Sequence, residues 1–136
     1  MKKYYSKIDK NLLLHLVFKL NDHTSNRQPI SPADEFLQLQ FVKHDKGMVT
    51  KPHNHLWKTA PAKTITQESW VVIQGQVKFY MYDVDDILLD TTILNPGDVS
   101  MTFRGAHAYE MLQDNTIVYE YKTGPYQGQI KDKEWI

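Results

Sequence analysis

Three histidines and one glutamate stand out as residues that could do chemistry together. His53 and His55 occupy alternate positions, so in an extended strand both imidazoles leave the same face and can enter one cavity. Glu68 follows after a spacer, and His107 comes much later, beyond the turn signal Asn95-Pro96-Gly97-Asp98. Neutral imidazole nitrogens with one carboxylate oxygen form a donor set for one divalent metal ion, and iron, manganese, zinc and nickel are all admissible. A six-coordinate ion held by four side chains keeps two positions open, which permits either oxygen activation or polarisation of a carbonyl. His15, His23 and His44 have no partners at ligand spacing and are not expected to ligate.

The elements that must position these residues read as short strands. Leu12 to Leu20 is apolar and branched and ends in the turn-rich run Asn21 to Asn26, which predicts a strand and a loop. Ser31-Pro32-Ala33-Asp34-Glu35 predicts a single helical turn, and Phe36 to Val42 a half-buried strand. A polar turn over Lys43 to Gly47 leads into an extended segment from Met48 to His55, and residues 56–66 have no period and predict an irregular loop beside the histidines. Ser69 to Ile73 and Gln76 to Tyr82 predict a hairpin or a bent strand joined at Gly75. Ile87 to Leu94, Val99 to Phe103, Ala108 to Leu112 and Thr116 to Tyr121 continue the series at the spacing of a sandwich or barrel. The tail predicts a loop with one helical turn around Lys131 to Trp135.

Around the cluster, Lys51 and Arg104 flank the presumed ligands and could hold a phosphate or carboxylate of a substrate, while Trp57 could serve as a lid or simply pack its loop. Tyr80, Tyr82, Tyr109, Tyr119 and Tyr121 either line a sugar-binding cavity or fill the strand core, and the first three are the candidates for a catalytic role. Gly97 and Gly105 are expected to serve backbone geometry.

Composition narrows the function classes. The 136 residues suit one domain, with a core over about 35–122, an N-terminal strand over about 12–20 and a tail over about 123–136. Sixteen basic residues balance sixteen acidic ones, which gives no overall field for nucleic acid or an anionic membrane. With no cysteine there are no disulfides, thiolate metal sites or cysteine nucleophile. No signal peptide is read at the N-terminus and no apolar run is long enough to span a bilayer, so a soluble cytoplasmic protein is expected.

Gly47, His53, His55, Glu68 and Gly75 resemble the first motif of the cupin superfamily: glycine, five residues, His-x-His, a spacer, glutamate, six residues, glycine. Gly97 with Phe103-Arg104-Gly105-Ala106-His107 resembles the second motif, with Phe103 in place of proline and one residue fewer before the histidine. The spacer between His55 and Glu68 is longer than usual, which leaves Gln67 as the alternative to Glu68 at the carboxylate position. Asp34-Glu35-Phe36-Leu37-Gln38, Thr66-Gln67-Glu68, Glu110-Met111-Leu112 and Lys122-Thr123-Gly124-Pro125-Tyr126 are similar to small single-domain cupins encoded among bacterial surface-polysaccharide and sugar-nucleotide genes.

The resemblance implies an all-β cupin jelly-roll barrel, or double-stranded β-helix, with the metal held by His53, His55, Glu68 and His107. It implies a small-molecule substrate, a sugar or sugar nucleotide, with the reaction left between isomerisation and oxidation. A metal-free nucleotide-sugar 3,4-ketoisomerase using histidine and tyrosine as acid and base is the alternative, and a non-catalytic sugar-binding cupin is the third reading. A homodimer is expected, with Leu12 to Leu20 covering an edge strand of the second copy.

Overall fold

Alternating burial along its strands sorts this chain into two facing sheets. The computed structural model describes every residue except Lys7, Asp9, Leu12, Lys19 and residues 59–63. In chain order the strands are β1 (Lys2–Tyr5), β2 (Leu13–Val17), β3 (Arg27–Pro29), β4 (Leu37–His44), β5 (His53–His55), β6 (Trp57–Lys58) and β7 (Thr64–Ile65). They continue with β8 (Glu68–Gln74), β9 (Val77–Tyr82), β10 (Leu88–Leu94), β11 (Val99–Thr102), β12 (His107–Met111), β13 (Thr116–Thr123) and, after the one-turn helix α1 (Gln129–Asp132), β14 (Lys133–Trp135). One sheet has the order β10-β9-β12-β5-β14 and the other β11-β8-β13-β4-β3, all antiparallel. This is the all-β, double-stranded β-helix architecture of a cupin barrel.

Register stacks the inward residues in layers. Val42, Val118 and Val72 are cross-strand partners on β4, β13 and β8, all fully buried, and with Val77 and Met111 they close one end of the barrel. Two residues along, Gln40, Glu120 and Trp70 form the next layer, and two further Gln38, Lys122 and Glu68 form a third. The interior therefore turns from aliphatic to polar along its axis, because each strand carries its polar inward residue at the same height. Across the middle layer Trp70 stacks on Tyr109 at 3.9 Å and 7°, and Tyr109 stacks on Phe79 at 5.0 Å. Such pairs add about 0.5–1.5 kcal/mol beyond the area they bury.

Several expectations need correction. Residues 69–73 and 76–82 do not form a hairpin: β8 and β9 lie in different sheets, and the chain crosses between them at Gly75. Gly75 has φ +81°, and a Cβ there would collide with the side chain and backbone of Thr116. The segment Ser31 to Glu35 makes a turn without a helix, held by the Gln38 amide, which donates to the carbonyls of Pro32 at 2.9 Å and Glu35 at 2.6 Å. The loop expected over 56–66 contains a small ladder, β6 with β7, although residues 59–63 lie outside those described. In the tail the helical turn comes earlier, at Gln129–Asp132, and Lys133–Trp135 pairs instead as a strand with β5. The N-terminal strand runs Leu13–Val17 and pairs with β1 in a separate two-stranded ladder, Leu12 lying outside the described residues.

Candidate metal centre

Strand pairing brings the three histidines together. His107 opens β12 directly opposite His53 on β5, and the alternation of β5 puts His55 on the same inner face, both of its histidines buried and Asn54 between them turned away. Glu68 opens β8 in the facing sheet, so the carboxylate meets the imidazoles across the barrel. Each of the four residues is buried and offers one ligand atom, and these atoms all lie within 4.8 Å of one another. Gln67, the alternative to Glu68, is exposed, since the next residue of an extended chain points outward. The long spacer between His55 and Glu68 is taken up by the β6–β7 ladder.

Three of the four side chains, His53, His55 and Glu68, are oriented from behind. His53 donates from Nδ1 to the Lys51 carbonyl at 2.9 Å, which leaves the Nε2 lone pair for the centre. His55 Nδ1 faces the carbonyl of Asp132 at 3.2 Å and its carboxylate at 3.4 Å. Its Nε2 lies 3.2 Å from Glu68 Oε2 yet is buried and makes no hydrogen bond of acceptable alignment. Glu68 Oε1 accepts from Trp70 Nε1 at 3.0 Å and lies 3.3 Å from His107 Nε2, while His107 Nδ1 is buried without a partner. A buried imidazole nitrogen that faces a carboxylate without a hydrogen bond, as His55 Nε2 does, is a condition a divalent cation relieves, and the donor set fits one.

Charge is distributed unevenly across the cluster. Burial, with His107 and Lys133 close by, pushes the pKa of His53 down to about 3. Burial acts in the same direction on His55, but the close carboxylates of Asp132 and Glu68 outweigh it and raise His55 to about 9. Burial opposes the ionised form of Glu68, and the hydrogen bond from His107 with the close His55 imidazole reverses that, holding its carboxyl well below the usual range. Asp132 is fully buried and accepts from Thr66 at 2.9 Å, Lys58 at 3.2 Å and Lys122 at 3.3 Å, so it is a structural anion behind His55.

A cavity of about 300 Å³ opens onto the centre. His53 and Glu68 form part of its wall, Trp70 and Tyr109 lie deeper, and Lys51, Lys133 and Trp135 also line it. Trp135 stands edge-on to His53 at 5.4 Å. Lys133 places its ammonium 3.0 Å from His53 Nε2.

Of the tyrosines singled out by sequence, Tyr109 reaches this cavity; its hydroxyl shares a 2.9 Å hydrogen bond with Ser100, and burial raises its pKa. Tyr80 lies on the outer face, donating to Glu110, and Tyr82 lines a separate groove with Phe103 and Arg104. Tyr119 packs outside the barrel against Phe18 and Phe41, and Tyr121 lines an outer groove with Leu37 and Leu39. Arg104 sits 5.7 Å from the half-exposed Trp57 ring, so these two face each other and neither lines the cavity at the histidines. Lys51 does line it, and its carbonyl orients His53. His23 stacks on Phe41 at 4.4 Å, away from the cluster.

Sequence reasoning did not single out Asp132, Lys133, Trp135, Glu120 or Trp70. Glu120 and Lys122 left a signal, since they share the inward parity of Val118 along β13. The tail residues left none, because only a pairing across some eighty residues brings β14 to β5.

No family model and no curated protein matches this sequence. Solved structures do. KdgF from Halomonas sp. is 20% identical, with a TM-score of 0.58 over 74% of this chain and 80% of its own. A double-stranded β-helix protein from Klebsiella pneumoniae is 15% identical, with a TM-score of 0.60 over 85% and 95%. CapF, solved with the inhibitor 3-isopropenyl-tropolone, is 14% identical, with a TM-score of 0.63 over 87% of this chain but 36% of its own. At these identities the likeness concerns the fold, and the fold of this chain is that of the double-stranded β-helix cupins.

Proposed function

We propose that this protein is a metal-dependent cupin acting on a sugar or sugar-nucleotide metabolite in surface-polysaccharide biosynthesis. The observation that carries the metal is the convergence of His53, His55, Glu68 and His107, all buried, with ligand atoms within 4.8 Å of one another. A bound iron, manganese, zinc or nickel ion would supply Lewis acidity or an oxygen-activating centre, and the reaction class is isomerisation or oxidation accordingly. The chain's own residues do the rest. Trp70 and Tyr109 line the cavity where the barrel core meets it, and Lys51 and Lys133 line it with cations. The polysaccharide setting rests on the resemblance of the sequence to small cupins of such gene clusters.

The test is metal content of tag-free protein by mass spectrometry, comparing wild type with His53→Ala and Glu68→Ala. About one metal per chain, lost in both variants, is expected for a four-ligand site. No metal after reconstitution sinks the reading. Loss in the histidine variant alone removes Glu68 from the ligands.

The contact between Lys133 and His53 favours one second reading, since a tethered ammonium gives the cluster a self-sufficient metal-free state. In it the protein is a nucleotide-sugar ketoisomerase in which a histidine moves the proton, and turnover that survives chelation selects it. The homodimer also stays a proposal. The β1–β2 ladder pairs with neither main sheet among the described residues and keeps Leu14 half exposed, and a sedimenting species of one chain mass at micromolar concentration overturns it. No described helix is long and apolar enough to cross a membrane.

A further inference from the structure

The cavity at the metal centre has an excess of cations. Arg27, Lys51, Lys122 and Lys133 line it against the carboxylates of Glu68 and Glu120. Two of the four are already committed: Arg27 pairs with the buried Glu120 at 2.8 Å, and Lys122 pairs with Asp132 at 3.3 Å. Among the described residues neither Lys51 nor Lys133 forms an ion pair with a carboxylate. Lys133 instead donates to His53 Nε2 at 3.0 Å, the nitrogen whose lone pair faces the centre.

A metal ion and the Lys133 ammonium therefore compete for one lone pair. When a divalent cation takes it, Lys133 loses its partner while two positive charges are added beside it. In a half-enclosed cavity that combination strongly attracts an anion. A second group points to the rest of the ligand: Gln40 lines the same cavity, and its Oε1 is buried without a hydrogen-bond donor. Such an oxygen is satisfied by a hydroxyl. The volume of about 300 Å³ lies at the small end of ligand pockets, enough for one sugar-sized group within the cavity.

We infer that the cavity takes a small polyhydroxylated anion, its charged group held by Lys133 and Lys51 and a hydroxyl placed on Gln40. The inference deepens the metal-dependent reading above and rests on it for the displacement of Lys133. The anionic group is a carboxylate or a phosphate, and the lysines accept either.

The test uses three probes of one carbon count, D-glucose, D-gluconate and D-glucose 6-phosphate, titrated by calorimetry into protein loaded with zinc and assayed for metal. Gluconate or the phosphate ester is expected to bind at least about tenfold tighter than glucose. Whichever does so identifies carboxylate or phosphate as the anionic group. Lys133→Met and Lys51→Met, each with unchanged metal content and unchanged circular dichroism, are expected to lose most of that preference. Lys51 is exposed, so its variant folds even if the half-buried position of Lys133 tolerates change less well. Equal binding of all three probes, no binding of either anion up to millimolar concentration, or wild-type preference in both variants overturns the inference. Should the protein take up no metal, the proposed function fails on that count alone. The same titrations on metal-free protein then still decide whether the cavity selects an anion.

Discussion

Asp132 stands directly behind His55, its carboxylate 3.4 Å and its carbonyl 3.2 Å from Nδ1, so one residue of the tail fixes both the tautomer and the aim of a presumed ligand. Carboxylate–histidine pairs of this kind raise ligand basicity, and removing the outer member costs about 10–100-fold in metal affinity. Asp132→Asn keeps the shape and most of the donors' geometry while removing the charge. We expect its zinc affinity, read by competition with a chromophoric chelator, to fall within that range. Unchanged affinity would show that His55 is not a ligand or that Asp132 does not tune it.

Proton competition sets the pH profile of metal uptake. Metal needs neutral imidazole, and in the metal-free protein His55 is raised to about 9 while His53 is lowered to about 3. Between these values His55 carries a proton that the metal must displace, and His53 carries none. Apparent affinity therefore rises with pH, roughly tenfold per unit for the one proton released by His55, and flattens as pH passes its pKa. Calorimetry in buffers of different ionisation enthalpy counts the released protons. A flat affinity between pH 6 and 8, at about these values, would contradict the assignment.

Acid should weaken the fold through the same aspartate. Burial works against the charged form of Asp132, yet the hydrogen bond from His55 and the charge of Lys122 hold its carboxyl far below the usual aspartate value. With a depressed folded-state pKa, the stabilisation is fully present above the ordinary carboxylate range, and it is lost as pH falls through that range toward the folded value. In thermal melts, wild type should exceed Asp132→Asn at pH near neutral. The gap should close on acidification, because protonation makes the two side chains alike.

The barrel was legible in the sequence because its determinants are local. Turn signals at Asp83 to Asp86 and Asn95 to Asp98, and alternating burial on strands such as Glu68–Gln74, carry the strand count and the inner face. His53-x-His55 was legible for the same reason. The alternation on Thr116–Thr123 was harder to assign, because both faces carry large side chains: Val118, Glu120 and Lys122 point inward, and Tyr119 and Tyr121 outward. A rule that turns charge to solvent chooses the wrong face there, since Glu120 is paid for by Arg27 and Lys122 by Asp132. The tail was illegible, since its pairing with His53–His55 depends on contacts that no local pattern encodes.

Trp70 links the core to the centre. Its indole N–H donates to Glu68 Oε1 at 3.0 Å, and its ring lies on Tyr109. Trp70→Phe keeps much of the stack and removes the donor, leaving a buried carboxylate oxygen with one partner fewer. A hydrogen bond to a charged group contributes about 1.5–3 kcal/mol, so urea unfolding of the metal-free protein should show a loss in that range. Loaded with metal, the variant should lose less, because the ion takes over neutralisation of Glu68. Equal losses in both states would separate Glu68 from the metal.

Gly105 controls where His107 enters the cluster. Two residues before it, Gly105 adopts φ +81°, and a Cβ there would press against the carbonyl oxygen of Tyr82. That carbonyl belongs to the end of β9, the strand on which β12 is registered through the pair His107 and Met81. Alanine at this position must adopt a conformation L residues avoid and also push β9 away, at a cost of about 1–3 kcal/mol for the backbone alone. Gly105→Ala should therefore lower the unfolding midpoint and weaken metal binding together. Gly97→Ala, also at positive φ but facing open space, should lower the midpoint with metal affinity unchanged. If both variants weaken metal binding equally, the close approach to Tyr82 is not what positions His107.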